Sequence, residues 1–311
     1  MEQIDEDITA YLEQVVEEEH QADHEGPMGS CMESLGRTDS EVFGVCAVST
    51  NGQVKSAANA EEKFPLESTS KALSLALALE DNGPEALFRH IGKEPKGDRF
   101  HSVAALEEGE LGVPSNPMIN AGAVAVTAAI NGADGEERYN RLQGFVRTLA
   151  NNPDIDFNQM MFETESRDHH RALFYYMRDH GVVSGTEEDS LLPYIKQTSI
   201  EMNCLDLARI ASVFANGGRL PGTDRQIISP ETVRVVLTLM FTTGMYDASG
   251  AFAVDVGIPA KSGVSGAIMA VVPGRMGFGC FGPALDSSGS SIAGVRMLRK
   301  LSTRWRLGVF S

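Results

Sequence analysis

The chain has 311 residues, 42% hydrophobic and 22% charged, proportions that suit one or two soluble globular domains. Its net charge of −17 is concentrated at the start: residues 1–25 hold ten Asp or Glu and no Lys or Arg, so this arm carries −10 and the remainder −7. Such a balance argues against nucleic acid or an anionic membrane as a partner. Four widely spaced cysteines (Cys31, Cys46, Cys204, Cys280) without a C-x-x-C pair suit a reducing compartment. The acidic start lacks the basic region of a signal peptide, and no apolar run approaches the roughly 18 residues of a membrane span. These features imply a cytoplasmic protein.

In chain order, Ile4, Ile8, Leu12 and Val15/Val16 recur at helical spacing, so the acidic arm reads as an amphipathic helix. His20 and His24 stand four apart on it and read as part of a solvated face, with no third metal ligand beside them. Residues 42–57 form a hairpin pattern turned at Asn51-Gly52.

Next comes Phe64-Pro65-Leu66-Glu67-Ser68-Thr69-Ser70-Lys71, followed by an Ala- and Leu-rich run to Glu80. Pro65 fits the first position of a helix that Gly83-Pro84 stops. Ser68 and Lys71, three apart, then share a face one turn into the helix. A buried lysine near a positive helix end loses affinity for its proton and can act as a base toward a serine hydroxyl. S-x-x-K is the nucleophile motif of serine β-lactamases and penicillin-binding proteins, and here its surroundings are apolar rather than charged.

Met118 to Val126 is apolar except for Asn120, an amide that must bond to backbone or face a site. Helical patterns follow at about 136–150, 166–180, 200–215 and 230–240, the last capped by Ser229-Pro230. Short strands are expected at 251–256, 258–262, 267–272 and 276–281, then a helix at about 290–305. Gly277-Phe278-Gly279-Cys280-Phe281-Gly282 matches G-x-G-x-x-G, but Pro283 follows where a helix would start. It reads instead as a glycine-rich strand packed closely on a neighbour. Early and late strands pair most simply in one antiparallel sheet, with terminal helices on a face and the middle helices as a second lobe.

Gly92-Lys93-Glu94-Pro95, Asn116-Pro117-Met118-Ile119-Asn120-Ala121-Gly122-Ala123, Glu163-Thr164-Glu165-Ser166, Gln197-Thr198-Ser199-Ile200-Glu201, Gly244-Met245-Tyr246-Asp247-Ala248-Ser249-Gly250 and Pro259-Ala260-Lys261-Ser262-Gly263-Val264 occur in this order. Together they resemble the serine-dependent glutaminases, a β-lactamase-like family, over roughly residues 26–302. The resemblance implies an α+β fold: an antiparallel sheet from N- and C-terminal strands with flanking helices, plus an all-helical lobe. An acidic arm, 1–25, would precede a single catalytic unit, 26–311, with its helical lobe at about 66–245.

The resemblance also implies roles. Ser68 matches the nucleophile, Lys71 its activating lysine, Tyr246 the proton-exchanging tyrosine and Val264 the second oxyanion N–H beside that of Ser68. Asn120, Glu163 and Tyr194 match residues that hold the amino-acid end of L-glutamine. A homo-oligomer is implied, and no metal or organic cofactor. The chain departs from the family at Cys31-Met32-Glu33 (usually Tyr-Ile-Pro), Glu67 (usually Gln), His101 (usually Asn) and His169-His170 (usually Arg-Asn). Cys31, Glu67 and His170 thus alter positions that would border substrate, and the Glu67 charge would lie near glutamine's carboxylate or oxyanion. The function expected is hydrolysis of L-glutamine to L-glutamate and ammonia through a Ser68 acyl-enzyme. Alternatives are an amidohydrolase of a related amide and a member that binds an amino acid without turnover. A β-lactamase or D,D-peptidase is a further reading, for which Lys261-Ser262-Gly263 resembles K-T-G but no S-D-N element is present.

Overall fold

The computed structural model describes residues 5–37, 39–95, 101–107, 111–164 and 167–311. The acidic arm is helix α1 (Asp5–His20), and a short helix α2 (Ser30–Ser34) follows. Strands β1 (Gly44–Ser49) and β2 (Val54–Ala58) make the expected hairpin, Gly44 opposite Ala58 and Val48 opposite Val54. Strand β3 (Phe64–Pro65) leads through a 3₁₀ turn (Glu67–Thr69) into helix α3 (Ser70–Leu87). Pro65 therefore does not start the helix. It closes a strand whose residues pair with 201–202, and the Leu66 N–H donates to Ile200 O at 2.7 Å. Gly83, at φ 73° and ψ 162°, breaks the helical path as expected, and Pro84 opens one more turn.

The middle of the chain folds as α4 (Asn120–Ala128), α5 (Gly135–Ala150), β4 (Asp156–Phe157), α6 (Gln159–Thr164), α7 (Asp168–Asp179), α8 (Glu187–Thr198), β5 (Ile200–Met202), α9 (Cys204–Ala215) and α10 (Pro230–Thr243). Two corrections arise here. Residues 200–202 are a strand rather than the start of a helix, because Asn203 and Asp206 form a capping box that fixes the first turn of α9 at Cys204. Helix α8 was not expected at all. Its Pro193 removes an N–H from the ladder, and the carbonyl this leaves at Asp189 accepts from Arg138 Nη1 at 2.7 Å instead.

The chain ends as α11 (Ser249–Asp255), β6 (Ala260–Ser262), β7 (Ala267–Val272), β8 (Met276–Phe281) and α12 (Ile292–Trp305). The expected strand at 251–256 is thus a helix. Phe252 and Val256 are buried while Val254 is 86% exposed, the four-residue recurrence of a helix seen through an alternating-looking stretch.

The main sheet is antiparallel in the order β2-β1-β8-β7-β6, so early and late strands do pair centrally. Both faces are covered, which is why β7 and β8 read as continuous apolar runs. Val45, Ile268, Ala270 and Phe278 pack with Ile8, Leu12 and Val15 of α1 and with Met297, Leu298 and Leu301 of α12. Cys46, Met269, Val271 and Phe281 pack toward α9 and the helical lobe. The glycine-rich strand behaves as expected: a Cβ at Gly279 would lie 2.3 Å from Cys204 O. On the outer layer His20 is exposed but His24 is not solvated: it is buried against Phe43, its Nε2 3.2 Å from Glu19. No disulfide joins any two of the four buried cysteines, and among the described residues no helix is long and apolar enough to cross a membrane. The expected α+β architecture therefore holds. Edge strand β6 meets the N-terminal end of α3 where sheet and helical lobe join: a Cβ at Gly263 would stand 2.8 Å from Leu66 O.

Candidate functional site

Ser68 lies in the 3₁₀ turn before α3, 6% exposed, and Lys71 is the second residue of the helix, fully buried. The turn is held by its neighbours rather than by Ser68. Thr69 Oγ1 donates to Leu66 O at 2.5 Å and Ser70 Oγ to Glu67 O at 2.6 Å. Glu67 itself adopts φ 48°, in the left-handed region that costs a non-glycine residue of order 1 kcal/mol or more.

Burial lowers the Lys71 pKa to about 7, and the Glu67 carboxylate only partly opposes this. Its amine donates to Asn120 Oδ1 at 2.5 Å. Asn120 opens α4, so its lone amide in an apolar run does face a site rather than backbone. On its far side Asn120 Nδ2 stands 3.4 Å from His170 Nε2, on α7. The His170 ring lies 5.3 Å, centroid to centroid, from that of Tyr194 on α8. Lys71, Asn120, His170 and Tyr194 thus form one connected group contributed by α3, α4, α7 and α8, with Ser68 in the turn just before α3.

Tyr246 closes the other side. It also holds a left-handed backbone, φ 52°, just past α10. Of the five non-glycine residues with positive φ among the described residues, two, Glu67 and Tyr246, border this group, a concentration of strain typical of functional sites. The phenol meets the hydroxyls of Ser68 and Ser262. Burial raises its pKa, the Ser68 contact opposes that, and the Glu67 charge adds to the rise. Tyr246 is therefore a neutral phenol at ordinary pH. Lys261 lies under its ring, Nζ 4.2 Å from the centroid, and donates to Gly244 O at 2.9 Å and Ser262 O at 2.7 Å. Burial, and then the charge of Lys71, lower the Lys261 pKa.

Val264 follows β6. A Cβ at Gly289 would contact both Val264 Cγ1, at 3.7 Å, and Tyr246 Cε2, at 3.9 Å. Cys31, buried on α2, borders the same corner: a Cβ at Gly29 would lie 3.5 Å from its Sγ and 1.8 Å from Val264 O. Glu163 stands differently. It is exposed on α6, which packs beside α2, and its described hydrogen bond comes from Gln159 Nε2 along the same helix at 2.5 Å. Glu165 and Ser166, quoted with it above, lie outside the described residues. His169 Nε2 is 2.5 Å from His101 O, so the altered histidines form a row of rings from His101 through His169 and His170 to Tyr194.

Lys261 was not among the expected site residues. The available signal was a lysine inside an otherwise apolar strand run, which demands buried acceptors. Among the described residues no cluster of three or more His, Cys, Asp or Glu could hold a metal. The arrangement offers a buried serine hydroxyl, a buried amine of depressed pKa and a neutral phenol. That is the equipment of acyl transfer.

Comparison with known proteins agrees. The sequence model of the Glutaminase family matches residues 26–310. Glutaminase 2 of Clostridium perfringens (strain 13 / Type A) is 42% identical over 302 residues, 96% of this chain and 99% of that protein. Glutaminase 2 of Bacillus subtilis (strain 168) is 44% identical over 301 residues, 96% of this chain and 97% of that one. The crystal structure of a Bacillus glutaminase in 4.3 M NaCl superposes with a TM-score of 0.90 at 31% identity, over 97% of this chain and 100% of that one.

Proposed function

The chain belongs to the glutaminase family, and from that premise we propose that it hydrolyses L-glutamine to L-glutamate and ammonia through an acyl-enzyme on Ser68. The observation that carries the mechanism is the fully buried Lys71 amine, its pKa lowered to about 7 by desolvation, three positions after Ser68 in the chain. Neutral Lys71 takes the Ser68 proton as Oγ attacks the glutamine Cδ. The backbone N–H groups of Ser68 and Val264 receive the oxyanion. Tyr246, protonated at neutral pH, gives its proton to the leaving ammonia and recovers one from the chain that ends at Lys71. Water then releases glutamate. Asn120, Glu163 and Tyr194 hold the amino-acid end of the substrate, Glu163 pairing with its ammonium, and Glu67 and His170 border it.

Hydroxylamine tests the acyl-enzyme directly. A γ-glutamyl ester on Ser68 partitions between water and hydroxylamine, so the wild type should form γ-glutamyl hydroxamate at the expense of glutamate while ammonia release continues. Ammonia release with no hydroxamate, at hydroxylamine up to the molar range, would remove the covalent intermediate. For Tyr246→Phe, kcat should fall about 10²-fold or more with a smaller change in KM, since the phenol acts in the transition state. A raised KM at unchanged kcat would make Tyr246 a binding residue instead.

The working form we propose is a cytoplasmic homo-oligomer with a single catalytic unit over residues 26–311 and the acidic arm packed on its sheet. The four cysteines without a disulfide support the compartment. Light scattering on the purified chain measures the assembly.

A further inference from the structure

We infer that His170 is a positioning residue whose neutral ring locks the Asn120 amide, and through it Lys71, in the orientation that frees the lysine lone pair for Ser68. The inference rests on the proposed role of Lys71 and adds a residue that the role did not use. Lys71 Nζ meets the Asn120 side chain at 2.5 Å. An amine that must keep its lone pair for the serine can only donate there, so the group it meets is the carbonyl Oδ1. The amide's other end, Nδ2, is then the face turned to His170 Nε2 at 3.4 Å, and an amide NH₂ can only donate. His170 must accept at Nε2, which requires the neutral ring with its proton on Nδ1.

Protonation reverses this. An imidazolium presents N–H at both nitrogens, so two donors would face each other across that contact and the amide would turn its oxygen toward His170. Lys71 would then meet Nδ2 and answer with its lone pair, the electrons the serine needs. Asparagine, usual at this position in the family that the sequence resembles, offers an acceptor oxygen at any pH. Histidine makes the same contact conditional on pH.

The groups that surround His170 among the described residues are few. On its own helix are Asp168, His169 and Arg171, the last held by Glu187 of α8 at 2.8 Å. Tyr194 faces the ring from α8, Lys71 lies behind Asn120, and His101 lies beyond His169.

The test is the pH dependence of kcat and KM for glutamine in the wild type, His170→Asn, His170→Gln and His170→Leu. In the wild type, kcat/KM should fall below neutrality with two protons, one on Lys71 and one on His170. In His170→Asn and His170→Gln the fall should become one-proton, because the amide oxygen accepts throughout. His170→Leu should lose about tenfold in kcat relative to His170→Asn even on the alkaline plateau, because no acceptor remains. A two-proton fall that persists in both amide variants, or a leucine variant equal to the asparagine variant on the plateau, overturns the inference. A wild type that releases no ammonia from glutamine at any pH would instead overturn the glutaminase reading itself.

Discussion

Ser68→Ala should lower kcat/KM for glutamine by at least about 10⁴-fold while leaving the fold as it is, because only the proposed nucleophile is removed. The 3₁₀ turn that carries it does not depend on its hydroxyl. Thr69 and Ser70 supply the side-chain hydrogen bonds that hold the turn, and Leu66 is tied to β5 through the carbonyl of Ile200. Removing one oxygen from a buried position already rich in hydroxyls should move the thermal midpoint by no more than about 2–4 °C. Hydroxamate formation should vanish with hydrolysis, since both pass through the same ester. Residual turnover above about a tenth of wild type, in a variant that still unfolds cooperatively, would take the nucleophile away from Ser68.

The parts of this site that were legible in the sequence are those with local chemistry. Ser68 and Lys71 could be joined because three residues of helical spacing connect them, and Asn120 because a lone amide in an apolar run must find a partner. What the sequence hid is set by distant contacts. Nothing local says that Lys71 will donate to an amide 49 positions away, or that Cys31 and Val264 will share a corner with Tyr246. Helix α8 went unseen because Pro193 sits inside it, and the proline is tolerated only because Arg138, from α5, takes the carbonyl it leaves. Helix α11 looked like a strand because Ala-Phe-Ala-Val-Asp-Val alternates as well as it recurs, and only the exposure of Val254 separates the two periods. The left-handed backbone of Glu67 and Tyr246 has no sequence signature, since both are residue types that usually avoid it.

Lys71→Arg should be almost as damaging as loss of the serine, about 10³-fold or more in kcat, and raising the pH should not recover it. A guanidinium stays charged at any pH the protein survives, so it cannot take the serine proton, even though it can still donate to Asn120. On the proposed mechanism the Lys71 base works only when neutral. Activity should therefore rise with pH through about 7, the value to which burial lowers Lys71. The Glu67 carboxylate holds that value up, so Glu67→Gln should move the rising limb to lower pH. The same lowering has a sign in stability. Unfolded, the lysine titrates near its ordinary 10.5, so between about 7 and that range the unfolded chain binds the extra proton and stability rises with pH. Lys71→Met, which cannot ionise, should lack that share of the rise while Lys261, also lowered by burial, keeps its own. Urea unfolding at pH 7 and pH 9 measures the difference. An arginine variant with wild-type turnover and an unmoved rising limb would show that Lys71 is not the base, whatever its burial.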